Sequence, residues 1–323
     1  METVSIVKDE NKKEIKKKQK GNLQKNISII TKDWQLYTLL ILPIIYYIVF
    51  KYGPMLGNII AFRSYVPGGS VLGEEWVGLK YFKLFIADPT FWLVFKNTLI
   101  ISVLQLVIGF PFPIIFALLL NEIRSKKFKR FVQTVSYLPY FLSAVVIAGM
   151  IQDLLSPSTG VVNMVIKHFT GSTINFLSLP QWFRTIYVGS GIWQGLGWGA
   201  ILYLAALSNI NMELYESAKI DGANRWQQTL HVTIPGIMPT IVILLILNIG
   251  GLLSVGYEKI MLLYNPLTYS TADVISTYLY RMGLEANNFS YATAIGLFEA
   301  VIGLVLVSGA NYFSKKFSET SLW

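Results

Sequence analysis

Long apolar runs alternate with short polar segments along this chain of 323 residues. A helix needs about 20 apolar residues to cross the hydrocarbon core of a lipid bilayer. Six runs meet that length, so the pattern predicts an all-α polytopic membrane protein with six transmembrane helices. The predicted spans are residues 34–53, 94–121, 131–153, 186–208, 239–261 and 291–313.

Prolines interrupt the second of these runs, in the segment IGFPFPIIFALLL. Pro111 and Pro113 lack the backbone N–H that a helix interior uses, and neighbouring helices must cover the carbonyl groups that this leaves free. The sequence therefore predicts a kink in the second span.

The positions of Lys and Arg predict the orientation of the spans, because cytoplasmic loops carry an excess of both. Nine lysines precede Trp34, the link 122–130 reads EIRSKKFKR, and Lys315 and Lys316 follow the last span. With six spans these three regions lie on one side of the membrane, which we expect to be the cytoplasm.

The same pattern divides the chain into predicted regions. We expect a basic cytoplasmic N-terminal arm (1–33), a six-helix transmembrane domain (34–313) and a cytoplasmic C-terminal tail (314–323). The segment 54–93 is expected to form a small extracellular cap with a short interfacial helix near residues 81–86.

Composition agrees with a lipid environment. Hydrophobic residues make up 53% of the chain and charged residues 14%, with a mean hydropathy of +0.51, whereas about a quarter of the residues of a soluble domain are charged. The chain has a net charge of +9, and nine of its 27 Lys and Arg residues lie in the arm. Next to a membrane segment they are expected to act as a cytoplasmic retention signal at the lipid surface and not to bind nucleic acid. The chain has no cysteine, and His168 and His231 are far apart in sequence; no metal site is predicted.

The link between the fourth and fifth spans is too polar to lie in lipid. Residues 213–239 read ELYESAKIDGANRWQQTLHVTIPGIMP. Asn209 or Asn211 is suited to cap a first helix, and the DG dipeptide supplies a turn. A second short helix, ANRWQQTLHV, then leads to Pro235, which is expected to open the fifth span. The predicted helix–turn–helix is either an interfacial loop or an element that docks on a cytosolic partner.

This link resembles the EAA loop of the membrane subunits of bacterial ABC importers. That signature runs Glu-Ala-Ala, three residues, Gly, nine residues, Ile, one residue, Leu-Pro. The chain has the same spacing with ESA at 216–218, then Gly222, Val232 and Ile234-Pro235. The three departures are conservative and leave the acidic residue and the glycine in place. A later loop, KIMLLYNPLTYSTADVISTYLYRMGL, is similar to one in a subgroup that handles complex saccharides.

The resemblance implies a type I ABC importer transmembrane fold in a multi-pass protein of the bacterial cell membrane. In such importers the EAA loop, here about 209–235, docks into a cleft on a separate ATPase and forms the coupling helices. The implied partners are a second homologous permease, two ATPase subunits and an extracellular solute-binding protein. For Arg225 two interpretations are equally good: it takes part in docking on the ATPase, or it is one more positive charge on the cytoplasmic side. The candidate coupling residues are Glu213, Glu216, Ala218, Asp221, Gly222 and Arg225.

The sequence offers no nucleotide site. A phosphate-binding loop reads G-x-x-x-x-G-K-[ST], and the nearest spacing, from Gly251 to Gly256, is followed by Tyr257 in an apolar run. We therefore expect the chain to bind no cofactor and to be no enzyme itself. ATP and Mg²⁺ would belong to the partner ATPases.

The fourth run places tryptophans and a glutamine among several glycines. Indole rings stack on the apolar faces of sugars and an amide bonds their hydroxyls, whereas glycines allow helices to pack closely; both interpretations stay open. In maltose-type relatives the sugar is held by this helix and by the helix after the EAA loop, which implies a saccharide substrate, expected to be an oligosaccharide. The candidate pathway residues are Trp193, Gln194, Gly195, Trp198, Asn248, Gly251, Ser254, Tyr257 and Glu258.

The alternative function is an ion-coupled secondary carrier or channel for a polar solute. Such carriers display charged relays inside the membrane. Here Glu299 alone lies well inside a predicted span, while Lys96 and Glu258 lie near span ends, which argues against that class. Two interpretations of Glu299 stay open. It contacts the substrate or pairs two helices, or it lies near the membrane interface with access to water. An intramembrane hydrolase is not predicted, because no span combines Ser with His or pairs two Asp.

Overall fold

The computed structural model describes residue 32 and residues 34–318. Within this part the backbone forms helices and turns without a strand, and an isolated β-bridge pairs Arg63 with Trp76. The all-α prediction is confirmed. The predicted basic arm, apart from residue 32, and the end of the predicted tail (319–323) lie outside the described residues.

The chain divides into two compact units, residues 1–59 and residues 60–323. In the described part of the first unit, α1 spans Trp34–Tyr47 and is continued by short π and α turns. None of its described side chains is buried within the chain. An apolar helix with every face uncovered is suited to a lipid environment.

The second unit holds the remaining helices of the described part. In chain order they are α2 Lys80–Ala87, α3 Pro89–Leu104, α4 Pro111–Glu122, α5 Lys126–Tyr137, α6 Ala144–Leu155, α7 Val161–Thr170, α8 Pro180–Ser208, α9 Met212–Ile220, α10 Arg225–Gln228, α11 Ile234–Gly250, α12 Tyr257–Leu263, α13 Tyr269–Ala272, α14 Ile275–Tyr280 and α15 Phe289–Ser318. The short helix expected near residues 81–86 is α2.

Four continuous helical segments of the described part are long and apolar enough to cross a membrane. They are Trp34–Phe62, Pro89–Glu122, Arg225–Gly250 and Phe289–Lys316, and they correspond to the first, second, fifth and sixth predicted spans. The helix α8 has 29 residues and is long enough as well, although its glycines and polar side chains make it less apolar. With α5 and α6 counted as one bent span, the arrangement fits six spans.

The prediction of one uninterrupted helix over residues 131–153 is wrong. The chain forms α5, then a 3-10 turn over Leu138–Phe141, then α6, and the two α-helices meet at an angle of 100°. Pro139 lies in the turn, where its missing N–H is tolerated. Ser143 starts the new helix, because its side chain accepts the Val146 N–H at 3.3 Å.

The fifth span differs from its prediction at both ends. Helical backbone runs from Arg225 through a π turn at Thr229–Thr233 into α11 without a break, so Pro235 lies inside a longer helix and does not open one. The missing Pro235 N–H costs little beside a π turn, where the bonding pattern already shifts. The helix ends at Gly250, not at residue 261, and α12 follows after turns.

The second span departs from α geometry where the prolines predict it. A π turn at Gln105–Gly109 separates α3 from α4 and directly precedes Phe110 and Pro111. The Phe110 N–H donates to the Gln105 carbonyl oxygen at 3.0 Å. The wider turn satisfies backbone groups next to the prolines inside the bundle.

A polar network fixes α3, α8 and α14 relative to one another. Arg281 reaches both carboxylate oxygens of Asp273, at 2.8 Å and 2.5 Å. The Asn97 amide donates to the Asp273 carbonyl oxygen at 3.0 Å and accepts from the Arg184 guanidinium at 2.9 Å. Because Asp273 and Asn97 are buried, these bonds are shielded from competing water.

Candidate functional site: the elbow and the cavities between the helices

The polar link at residues 209–235, called the elbow below, begins with a capped helix. Of the two predicted caps, Asn211 is the residue used: its side-chain oxygen accepts the Glu213 N–H at 3.0 Å, and its amide donates to the Glu213 carboxylate at 3.1 Å. Glu213 lies in the first turn of α9, where a carboxylate interacts favourably with the helix dipole.

The first elbow helix ends at a left-handed glycine. Gly222 has φ +79°, a conformation that glycine adopts without strain. Its N–H donates to the Lys219 carbonyl oxygen at 3.1 Å, and the Ala223 N–H donates to the Ala218 carbonyl oxygen at 2.8 Å. These two bonds form a Schellman motif that closes the helix, with Asp221 as the C-terminal cap. The predicted turn is present and has a defined geometry.

Side-chain bonds brace the second half of the elbow. Asn224 and Gln227 form a capping box, each side chain bonding the other's backbone N–H at 2.8–2.9 Å. The hydroxyls of Tyr215 and Thr233 lie 2.9 Å apart and join α9 to the π turn. Arg225 pairs with Glu122 at the end of α4. The elbow is therefore fixed to the helices next to it.

The outward surface of the elbow is apolar as well as charged. Among its large apolar side chains the most exposed are Ile220, at 87%, and Trp226, at 73%. The predicted coupling residues Glu213, Glu216, Asp221 and Gly222 are also exposed, and Ala218 is half-buried. The sequence interpretation missed Ile220 and Trp226. Their signal in the sequence is a large apolar residue inside a polar stretch.

A first cavity of about 470 Å³ lies between α3, α4, α8 and α11. Four predicted pathway residues line it: Gly195, Asn248, Gly251 and Ser254. Ser102 and Gln105, which the sequence interpretation missed, add polar groups to its wall. The chamber is thus apolar with a few hydrogen-bonding groups, as is usual for small-molecule sites.

A second cavity of about 420 Å³ adjoins the first, since Gln105 and Gly191 line both. Gln194, Tyr257 and Glu258 of the predicted pathway line this one. Burial within it lowers the pKa of Lys259 to about 8. The structure therefore brings seven of the nine predicted residues to two neighbouring cavities.

The two tryptophans among the predicted pathway residues are absent from both cavity walls. Trp198 stacks on Tyr140 with ring centroids 4.5 Å apart and an interplanar angle of 4°, and its other contact is the edge of Phe141. These rings belong to the turn between α5 and α6. Trp193 and Trp198 are both exposed, by 46% and 44%. The described contacts of the Trp198 ring join α8 to that turn.

Glu299 is hydrogen-bonded to a residue in the wall of the first cavity. The Ser254 hydroxyl donates to the Glu299 carboxylate at 3.4 Å, and Ser254 also lines the first cavity. Glu299 itself lies at a gap between α11 and α15. The contact pairs the segment after α11 with α15. Within the described residues, no group of three or more His, Asp and Glu is placed to hold a metal ion.

Apolar helices of membrane length, cavities between them with a few hydrogen-bonding groups, and a surface elbow fixed to its neighbouring helices are together the features of a membrane transport subunit. Residues 109–319 match the family described as the inner membrane component of binding-protein-dependent transport systems. The chain belongs to that family and is a transport permease subunit. The elbow and most of both cavity walls lie inside the matched residues.

Known proteins of the same kind cover most of the chain. It is 46% identical to the polygalacturonan/rhamnogalacturonan transport system permease protein YteP of Bacillus subtilis (strain 168), over 89% of this chain and 90% of that protein. It is also similar to a chain in the crystal structure of a bacterial ABC transporter involved in the import of the acidic polysaccharide alginate, with TM-score 0.83, 46% identity and coverage of 90% and 98%.

A second crystal structure extends this likeness. It is of the bacterial alginate ABC transporter in complex with an alginate pentasaccharide-bound periplasmic protein, and one of its chains matches with TM-score 0.83, 45% identity and coverage of 91% and 98%. The type I importer fold expected from the sequence is confirmed by these likenesses.

Proposed function

We propose that this chain forms, with a second homologous permease, the membrane pathway of an ATP-driven importer for an oligosaccharide. The observation that carries the proposal is one continuous helical segment, Arg225–Gly250. It begins in the elbow and carries Asn248 into the wall of the first cavity. With 26 residues and a rise of 1.5 Å per residue, it extends about 39 Å.

The mechanism follows from this connection. Two partner ATPases bind the elbows of the two permeases, and closure of the ATPases on ATP moves the elbows together. Ile220 and Trp226 supply an exposed apolar contact, while Glu213 and Glu216 flank it with charge. Because the Schellman turn and the capping box hold the elbow rigid, its displacement is passed into the cavity-lining helices.

ATP and Mg²⁺ belong to the ATPases in this proposal, and the permease binds neither. The described part of the elbow has capped helices and exposed apolar side chains, which suit docking on a partner and the transmission of force. An extracellular solute-binding protein delivers the saccharide in this proposal; in support, the similar alginate transporter forms a complex with an alginate pentasaccharide-bound periplasmic protein. The cavities offer amide, hydroxyl and aromatic groups of the kinds that recognise sugars.

The elbow and both termini face the cytoplasm in this arrangement. The support is the excess of Lys and Arg in the arm, in the link after α4 and at the end of α15, because cytoplasmic segments are enriched in both. Lys219 is exposed in the elbow, so its accessibility to a reagent reports the side of the membrane on which the elbow lies. In intact cells an impermeant amine reagent is expected to leave Lys219 unmodified and to reach it after permeabilisation.

The test uses Gly222→Asp and a deletion of residues 216–225 in the full complex. Both changes are expected to abolish co-purification of the ATPases while the permease still inserts in the membrane, because the deletion removes the turn and Gly222→Asp adds a negative charge at an exposed position of the docking surface. Gly195→Ala in a cavity wall, far from the elbow in sequence, is the matched control and is expected to retain the ATPases. Normal co-purification of the ATPases with the deletion contradicts the proposal. Ion-driven saccharide flux through this chain alone would establish the secondary-carrier alternative instead.

A further inference from the structure

Lys259 is a cation in a cavity wall, and within the described residues no carboxylate forms an ion pair with it. It lies in α12 and lines the second cavity. Two ion pairs are found within 4.0 Å in the described part of the chain, Arg225–Glu122 and Arg281–Asp273, and neither includes Lys259. Its described contact is with the ring of Tyr187, whose centroid lies 5.1 Å from Nζ.

A glycine leaves room at the Lys259 ammonium. A Cβ placed on Gly191 would stand 3.9 Å from Lys259 Nζ and 3.7 Å from Gln105 Nε2. The ammonium and the amide therefore converge on one point beside the α8 backbone. Since Gly191 and Gln105 line both cavities, that point lies where the two cavities adjoin.

The neighbouring carboxylate does not neutralise this charge. Glu258 lies in the first turn of α12 and is exposed. Glu258 also lines the second cavity, but in the described part of the chain no carboxylate oxygen lies within 4.0 Å of the Lys259 Nζ. The ammonium therefore has no ion-pair partner there, and a partly buried charge is costly unless it is paired.

We propose that the Lys259 ammonium binds a carboxylate of the transported saccharide, so that the substrate is an anionic, uronate-type oligosaccharide. This inference rests on the proposed function and adds the charge class of its substrate. The Tyr187 ring positions the ammonium through a cation–π contact, and the Gln105 amide donates to a carboxylate or hydroxyl oxygen at the same point. The pKa of about 8 leaves the amine largely protonated at pH 7 before the substrate arrives.

The first test is uptake into proteoliposomes that contain the complete complex, with trigalacturonate and its methyl ester as a charged and a neutral probe. Lys259→Gln is expected to lower trigalacturonate uptake roughly tenfold or more, since a charge-assisted hydrogen bond is lost. Lys259→Arg is expected to retain most of it. Lys80→Gln is the matched control, because Lys80 also lies over a tyrosine ring, that of Tyr81, but lines neither cavity.

The outcomes separate this inference from the proposed function. Wild-type trigalacturonate uptake by Lys259→Gln overturns the inference, as does a wild-type complex that moves the ester and not the acid. A wild-type complex that moves neither probe nor any other saccharide with ATP overturns the proposed function.

A second measurement covers the case in which Lys259→Gln does not fold. The wild-type complex in nanodiscs is acetylated at pH 8, and modification of Lys259 is quantified by mass spectrometry. Trigalacturonate is expected to protect Lys259 several-fold and the methyl ester to give no protection. Equal modification with and without trigalacturonate overturns the inference.

Discussion

Arg225 and Glu122 form an ion pair between the elbow and the end of α4, with 3.2 Å between the arginine Nη1 and the glutamate Oε2. Both side chains are exposed, by 64% and 47%, and exposed pairs contribute about 0–1 kcal/mol to stability. Arg225 also begins the helical segment that runs to Gly250. We infer that the pair positions the elbow and adds little to the stability of the fold.

Reversing one charge of this pair is expected to weaken coupling without unfolding the protein. Arg225→Glu places two carboxylates at the contact between α4 and the elbow, so the melting temperature should stay nearly constant while more ATP is hydrolysed per saccharide taken up. The double reversal, with Glu122→Arg added, should restore the ratio. An unchanged ratio in the single variant would show that the pair plays no part in coupling.

Substitutions at Gly222 separate backbone conformation from side-chain bulk. No atom lies within 4 Å of a Cβ built at this position, so the positive φ alone makes a substitution costly. A β-branched residue there costs about 1–2 kcal/mol, whereas Asn tolerates the left-handed region better. Gly222→Val is expected to reduce co-purification of the ATPases and Gly222→Asn to retain most of it. Equal amounts of ATPase with both variants would show that the turn geometry is not required.

Two glycines of α8 are expected to differ in their response to substitution by alanine. A Cβ at Gly197 would overlap the Ser136 carbonyl oxygen, whereas a Cβ at Gly195 meets nothing within 4 Å. Gly197→Ala should lower stability by about 1–3 kcal/mol through overpacking, measured as the melting temperature of the complex in nanodiscs.

Gly195→Ala is the control and should leave the melting temperature unchanged, while Gly195→Leu should reduce uptake because Gly195 lines the first cavity. A stable Gly197→Ala variant would mean that α5 and α8 can separate at this point without cost.

The buried ion pair between Asp273 and Arg281 predicts a large effect on stability. Their side chains are 4% and 20% exposed, so Asp273→Asn leaves a guanidinium unpaired in a site with little water. Breaking a buried pair in this way costs about 3–5 kcal/mol, which should appear as a lower melting temperature.

The double variant Asp273→Asn with Arg281→Met removes both charges and should recover part of the loss. If the double variant is less stable than Asp273→Asn alone, the stranded charge of Arg281 is not the cause of the destabilisation.

The sequence predicted the features that depend on neighbouring residues in the chain. Apolar runs of membrane length indicated the helices, Asn211 was one of two proposed caps, and the DG dipeptide indicated the turn that Gly222 makes. The same local signals were insufficient where several helices meet. Pro139 is followed by a 100° bend, whereas Pro235 lies within a continuous helical segment, because the surrounding packing decides how the freed backbone groups are satisfied.

Hydropathy and spacing thus predicted the helical class and the polar elbow, since these depend on local periodicity and short-range hydrogen bonds. The family resemblance came from the motif within residues 216–235. Only the tertiary structure decided which side of α8 faces a cavity. It placed Gly195 in the cavity wall and Trp198 against Tyr140, three residues apart on one helix. It also brought Lys259 beside Gly191. Such contacts join residues that are distant in sequence, and they are fixed by how the helices pack against one another.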